Sequence, residues 1–207
     1  MLTRILLTRH GQTEWNRVER FRGRADINLN ETGLRQARAT AERMSELRPV
    51  AIYSSPLKRA LLTAQAIADA LGLSVIAAPD LIDVDYGTWQ GLTIEEARQQ
   101  DPDAFAQWRK SPDPFRFPGG ESMKEVRQRV AKVTNSLWPR YPEQTVAVVT
   151  HVTLCRLITL HLLGLGTSHF WKVTQDNCAV SIFEIRADIN VALSLNDTCH
   201  LRGCQSA

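Results

Sequence analysis

The stretch TVAVVTHVTLCRLITLHLL, residues 145–163, decides the fold. Thr145 to Thr150 is β-branched and aliphatic, with no charge and no proline, as a strand buried on both faces requires. Val152 to Leu163 predicts a helix, which Gly164 stops. A strand that passes into a helix across one histidine, His151, is half of a strand–helix–strand crossover.

Outward from this unit the alternation repeats. Thr3 to Thr8 (TRILLT) has strand length and composition. From Asn30, the residues Leu34, Ala37, Ala41, Met44 and Leu47 recur at helical spacing until Pro49. Val50 to Ser54 predicts a second buried strand. Pro56 opens a helix with Ala60, Ala64, Ile67 and Leu71 on one face and Gly72 at its end. Ser74 to Ala77 is a third short strand. Ser122-Met123-Lys124-Glu125 is a capping box, followed by Val126, Val130, Val133 and Leu137 at helical steps. Ala179 to Arg186 and Ile189 to Asn196 predict a terminal hairpin. Strands alternating with helices mean an α/β fold, a three-layer α/β/α sandwich on a mostly parallel central sheet. Gly87, Gly91 and Pro102 are turn signals, and Ser111 to Gly120 (SPDPFRFPGG) excludes a helix interior. Residues 87–121 therefore read as an inserted segment covering part of the sheet edge, within one domain spanning 1–207.

Composition narrows the function. The 207 residues are 43% hydrophobic and 23% charged, which excludes a disordered or fibrous chain. No window approaches 18 uninterrupted apolar residues, so no membrane partner is expected. The N-terminal apolar run is too short for a secretory signal, and a cytoplasmic setting is expected. A net charge of +3 is mild for a nucleic-acid binder. Cys155 and Cys178 sit in apolar stretches as core thiols. Cys199 and Cys204 flank His200 without a second ligand pair, and read as a tail disulfide or two free thiols rather than a metal site. No metal and no cofactor is expected.

Ligands of an open parallel sheet bind beyond the carboxyl ends of its strands. There the first strand runs into Arg9-His10-Gly11 and the second into Ser54-Ser55-Pro56-Leu57-Lys58-Arg59. Asp80, Asp83 and Asp85 follow the third strand, and His151 follows the fourth. Two guanidinium groups and a helix N-terminus on one rim suit a phosphate dianion. A neutral imidazole there can attack phosphorus, and a carboxylic acid can protonate the departing oxygen. The chain has no P-loop and no G-x-G-x-x-G. The D-x-D at Asp83-Val84-Asp85 follows no uninterrupted apolar strand, and C-x5-R is absent.

Arg9-His10-Gly11-Gln12-Thr13-Glu14-Trp15-Asn16 resembles the signature of the histidine phosphatase superfamily, whose fold is phosphoglycerate mutase-like. The likeness continues at Arg20-Phe21-Arg22-Gly23-Arg24, Leu29-Asn30-Glu31-Thr32-Gly33, Tyr53 to Ala60, Tyr86 to Gly91, Pro118 to Ser122 and Thr150-His151. The resemblance implies that His10 is the phosphorylated nucleophile. It implies a phosphate pocket of Arg9, Asn16, Arg59 and His151, with His151 also serving catalysis. It puts Asp83 at the position of the proton donor and substrate contacts at Thr13, Arg22, Gly23, Tyr86 and Val152. Leu81-Ile82-Asp83 stands where many members have Leu-x-Glu, so the shorter Asp83 has a rival in Asp85. Arg22 stands where Gln is common, either as a charge at the substrate entrance or as half of a surface salt bridge. His151-Val152-Thr153 replaces the frequent His-Gly-Gly, as in phosphatase rather than mutase branches.

The middle stretch from Trp89 to Gly120 is compact and holds Arg98, Arg109, Lys110 and Arg116 as its basic residues, whereas the mutases carry a longer arginine-rich insertion. The expected function is a metal-independent phosphomonoesterase acting on a small phosphorylated metabolite through a phosphohistidine. A bisphosphoglycerate-dependent phosphoglycerate mutase and a non-catalytic phospho-ligand binding module are the alternatives. A homodimer is carried over from the resemblance.

Overall fold

The computed structural model describes residues 2–204. Six strands share one sheet: β1 (Leu2–Arg9), β2 (Ala51–Ser54), β3 (Val75–Ala77), β4 (Thr145–Thr150), β5 (Val180–Arg186) and β6 (Val191–Asp197). Their order is β3-β2-β4-β1-β5-β6. The pairs β2·β3, β2·β4 and β1·β4 are parallel. The terminal hairpin adds β5 and β6 antiparallel. This is the α/β architecture expected from the alternating pattern.

Both faces of the sheet are covered, which explains the unbroken apolar runs. Side chains alternate across a strand. Ile5, Leu7, Val146 and Val148 point to one face, where they pack with α6 (Met123–Arg140) and α7 (Val152–Leu162). Leu6, Ile52, Ala147 and Val149 point to the other, against α2 (Glu31–Leu47), which follows the single-turn α1 (Glu14–Arg17), and against α3 (Lys58–Leu71). The capping box forms as expected, with Ser122 Oγ accepting from Glu125 N at 3.2 Å. Gly72 ends α3 in the left-handed region at φ 66°, where a side chain would be strained.

The segment 87–121 carries more regular structure than its turn signals at Gly87, Gly91 and Pro102 suggest. It contains two helices, α4 (Ile94–Gln100) and α5 (Pro102–Lys110). Pro102 opens α5 instead of making a turn, since its missing N–H costs nothing in a first helical turn. Trp89, Trp108, Phe115 and Phe117 from this segment are buried together in the core beside α6 and α7. Trp89 lies at the centre, with ring centroids 5.4–5.9 Å from Phe21, Phe105, Trp108, Phe115 and Phe117.

Cys155 and Cys178 are buried as expected, and Cys199 and Cys204 are free thiols. Among the described residues no helix is long and apolar enough to cross a membrane. Met1 and residues 205–207 of the expected 1–207 span lie outside the described residues.

Trp89 is the natural probe of this packing. Trp89→Ala leaves a cavity ringed by five aromatic side chains, and a loss of about 3–5 kcal/mol is expected in urea unfolding. An unchanged midpoint would mean that the aromatic cluster does not support the fold.

Candidate active site

The register of the parallel strands assembles the site. Arg9 is paired with Thr150, so the residues that follow them, His10 and His151, emerge side by side. Their ring centroids are 5.1 Å apart. Close backbone packing fixes the turn after β1. A Cβ on Gly11 would lie 2.6 Å from Gly33 O, and one on Gly33 would lie 2.1 Å from Gln12 O, so only glycine fits either side. Asn177 Nδ2 donates to His10 O (2.8 Å) and Thr63 Oγ1 accepts from Gly11 N (3.0 Å).

Tautomers follow from the hydrogen bonds. His10 Nδ1 lies 2.7 Å from Gly11 O, which only accepts, so Nδ1 carries the proton and Nε2 keeps its lone pair. His151 Nδ1 accepts from Arg59 Nε (3.2 Å), so its Nε2 donates to Ser55 Oγ (2.8 Å). Both rings are buried, and both hold their pKa well below the usual histidine value of 6.5. Burial is the main cause, followed by the charge of Arg59.

The two arginines are satisfied unequally. Arg59 is fully buried and donates to His151 Nδ1, Ala25 O (2.7 Å), Gly23 O (2.7 Å) and Asp83 Oδ2 (3.0 Å). One of its five N–H groups is left over. Arg9 donates from Nη1 to Gln175 O (3.0 Å), and its buried Nε has no partner. Burial, and then the charge of Arg22, lower its pKa to about 9, so it still carries its charge at neutral pH. A cation so poorly matched favours an anion beside it.

Asp83 and Asp85 are now told apart. Asp83 is buried, with Oδ1 accepting from Val84 N (2.9 Å) and Oδ2 3.5 Å from His151 Nδ1. Asp85 is partly exposed. It accepts from Gly87 N (2.9 Å) and pairs with Arg24 at 3.5 Å, so it holds the Tyr86-Gly87 turn. The segment that carries Asp83 is clamped by Arg129, which donates to Asp80 O (2.8 Å), Ile82 O (2.6 Å) and Asp83 O (3.2 Å). Glu121 in turn holds Arg129 through both oxygens at 3.1 Å.

Arg9, Asn16, Arg22, Tyr86 and Val152 line a cavity of about 470 Å³. Asn16 Oδ1 accepts from both Thr13 N and Thr13 Oγ1 at 2.9 Å, which leaves its Nδ2 donors for the cavity. Arg22 donates to Trp15 O (3.3 Å) and pairs with no carboxylate among the described residues, so the surface salt bridge is not formed. Tyr86 Oη lies 3.0 Å from Thr153 Oγ1, and burial pushes its phenol up, so it stays protonated. Val152 opens α7, whose first N–H groups have no intrahelical acceptor and add positive potential. Thr13 and Gly23 stand behind the wall, Thr13 orienting Asn16 and Gly23 offering its carbonyl to Arg59.

The sequence reading did not single out Ser55, Thr63, Gln175, Asn177 or Arg129. Each bonds a site side chain or the backbone that carries it, and none has a spacing of its own. Trp108, Arg109, Arg156 and Trp171 also line the cavity. A basic or aromatic residue on α5 and α7 was visible, but not which way it faced.

Comparison with known proteins adds to this geometry. Residues 5–198 match the sequence model of the histidine phosphatase superfamily (branch 1). The chain is similar to phosphoserine phosphatase 1 of Hydrogenobacter thermophilus, with 40% identity over 97% of this chain and 95% of that one. It is 36% identical to a metal-independent phosphoserine phosphatase of Arabidopsis thaliana, over 97% of this chain and 84% of that one. Among solved structures, a mycobacterial glucosyl-3-phosphoglycerate phosphatase superposes with a TM-score of 0.87 at 28% identity, covering 96% of this chain and 100% of the other.

The buried imidazoles set a pH dependence. Their folded pKa values lie below 6.5, so the unfolded chain binds protons that the folded one refuses. Stability from this source is complete above about pH 6.5 and is lost as pH falls below it. For two histidines the loss between about pH 7.5 and about pH 5.5 is about 2–3 kcal/mol. Urea unfolding at both values checks this, and the dependence should shrink in His10→Asn and again when His151→Asn is added, with a remainder from His161 and His200, whose pKa burial also lowers. A flat profile in the unmodified protein would contradict the neutral pair.

Proposed function

The chain belongs to the histidine phosphatase superfamily and is a phosphatase, and from that premise we propose that it hydrolyses a small phosphate monoester through a phosphohistidine at His10 without a metal ion. The observation that carries the reading is the buried His10 imidazole, with Nδ1 tied to Gly11 O and Nε2 unprotonated, held beside Arg9 and Arg59. An imidazole fixed in that tautomer is ready to attack and need not lose a proton first.

In the first step the Nε2 lone pair bonds to phosphorus as the bond to the ester oxygen breaks. That oxygen leaves with a proton from Asp83, which ion-pairs with Arg59 in the free protein and receives the proton from the ester monoanion as it binds. Arg9, the spare N–H of Arg59, Asn16 Nδ2 and the α7 N-terminus hold the three remaining phosphoryl oxygens, where charge gathers in the transition state. In the second step water attacks phosphorus, the P–N bond returns its electron pair to Nε2, and Asp83 takes the proton. His151, turned by Ser55 and Arg59, stays neutral beside the transferred group. The positive charge that a metal would otherwise supply comes from the arginines.

Phosphoserine is the substrate we put first, on the names of two relatives at 40% and 36% identity. The free thiols Cys155, Cys178, Cys199 and Cys204 suit a reducing, cytoplasmic setting.

Two measurements test the mechanism. Release of p-nitrophenol from p-nitrophenyl phosphate should survive EDTA and vanish in His10→Ala, and acid-labile, base-stable phosphate should be trapped on His10. Equal turnover with and without His10 would end the phosphohistidine route. Asp83→Asn should cut hydrolysis of alkyl phosphates by about 10²–10⁴-fold while p-nitrophenyl phosphate, whose leaving group needs little protonation, loses much less. The same leaving-group pattern in Asp85→Asn alone would move the acid to Asp85. With 3-phosphoglycerate, isomerisation faster than phosphate release would mark a mutase.

A further inference from the structure

The cavity extends beyond the groups that the phosphoryl transfer uses. Its wall carries five arginines, Arg9, Arg20, Arg22, Arg109 and Arg156, against a single carboxylate, the exposed Glu19. Arg20 is matched by Glu96 (3.2 Å) and Gly91 O (2.6 Å). Arg109 and Arg156 have no hydrogen-bond acceptor and no ion-pair partner among the described residues.

What holds these two guanidinium groups is an aromatic ring. Arg109 Cζ lies 4.1 Å from the ring centroid of Trp171, and Arg156 Cζ lies 5.1 Å from the same centroid and 5.2 Å from that of Phe170. Stacking uses the flat face of a guanidinium and leaves the in-plane N–H edge free. An arginine placed by a carboxylate is already neutralised, whereas one placed by tryptophan keeps its full charge for a ligand. Arg156 Nε and Trp171 Nε1 are moreover buried donors with no partner.

The charges are ranked along the cavity. Arg22 acts on both His10 and His151, Arg156 acts on Arg9, and Arg109 acts on Arg156. The Arg109–Trp171–Arg156 stack therefore lies one step outward from Arg9. The volume, about 470 Å³, is within the range of small-molecule sites, roughly 300–1,000 Å³.

Resting on the phosphatase reading above, we propose that Arg109 and Arg156, stacked on Trp171, form a second anion subsite that binds an acidic group at the far end of the substrate. The natural ester is then a phosphate monoester with a second anionic group, and a neutral or cationic remainder is selected against. A carboxylate or a second phosphate has the shared chemistry: planar or tetrahedral oxygens that accept from a guanidinium edge.

The test is a comparison of paired esters. O-phosphoserine against O-phosphoethanolamine isolates the carboxylate, and fructose 1,6-bisphosphate against fructose 6-phosphate isolates a second phosphate. In at least one pair kcat/KM should favour the more acidic member by about 10- to 100-fold, the scale of one charged hydrogen bond. The pair that shows the preference identifies the source. Arg109→Met, at an exposed position where folding is not at risk, should collapse that preference at least tenfold, with the loss in KM rather than kcat, as removal of uniform binding requires. Arg156→Met, checked for a native circular dichroism spectrum, should do the same.

No preference in either pair overturns the subsite. A Met variant that slows both members of a pair alike also overturns it, since the stack is then only structural. p-Nitrophenyl phosphate tells the two failures apart. Turnover of it without acidic preference sinks the subsite alone, and absence of turnover sinks the phosphatase reading and the subsite with it.

Discussion

Two guanidinium charges held out of water at the end of a parallel sheet are the constraint on which the site depends. Removing such a charge from water costs several kcal/mol unless hydrogen bonds and counter-charge replace the lost hydration. Arg59 is given both, by Asp83, two carbonyls and the His151 ring. Arg9 is given one carbonyl and left with an orphaned Nε. The local field is therefore positive, and it acts on everything nearby. Burial first, and then the charge of Arg59, disfavours protonation of His10 and His151, and the positive field favours an anion beside them. Neutral imidazoles and under-satisfied cations thus share one cause, the exclusion of water from the end of the sheet.

The fold sustains that cost by over-determining the backbone around it. The parallel register that sets Arg9 beside Thr150 is locked between two apolar layers, so neither histidine can drift without disturbing both cores. The return segment before β5 adds three ties to the end of β1, from Gln175, Asn177 and Cys178. On the opposite side Arg129 gathers three carbonyls of the segment that carries Asp83. Arg129 itself is paired with Glu121, and its remaining charge bears on His151 after those of Arg59, His10 and Arg22. The positioning Arg129 is thus paired with a carboxylate, whereas Arg9, Arg22, Arg109 and Arg156 on the cavity wall pair with none among the described residues.

This division explains what the sequence did and did not disclose. Strands flanked by helices on both faces must be apolar throughout, so β1, β2 and β4 were legible, and so were the residues that follow them. Asp83 and Asp85 were not separable, because their spacing in an extended segment is the same and only burial distinguishes them. Ser55, Thr63, Gln175 and Asn177 carry no periodic signal. Their partners, a backbone N–H for Thr63, a ring nitrogen for Ser55, a carbonyl for Asn177 and a guanidinium for Gln175, lie 52 to 167 positions away. The helices α4 and α5 were hidden by a composition that read as turns. Trp89, Phe105, Trp108, Phe115 and Phe117 bury that segment through ring-on-ring contacts instead of a regular apolar stripe.

The same aromatic cluster reaches the cavity, and this ties packing to recognition. Trp108 touches Trp89 on its core side and Trp171 on the other, with centroids 5.9 and 4.8 Å away. Trp171 is then the surface on which Arg109 and Arg156 rest. A carboxylate in its place would hold the two cations more tightly but would also occupy their donor edges. An indole anchored in the core gives orientation without neutralisation, at the smaller energy of a cation–π contact, about 0.5–2 kcal/mol. The segment between β3 and α6 thus bears on catalysis indirectly. By fixing Trp171 it determines where the outer positive charge stands, while β1, α3 and α7 determine where His10, Arg59 and the N–H groups after His151 stand.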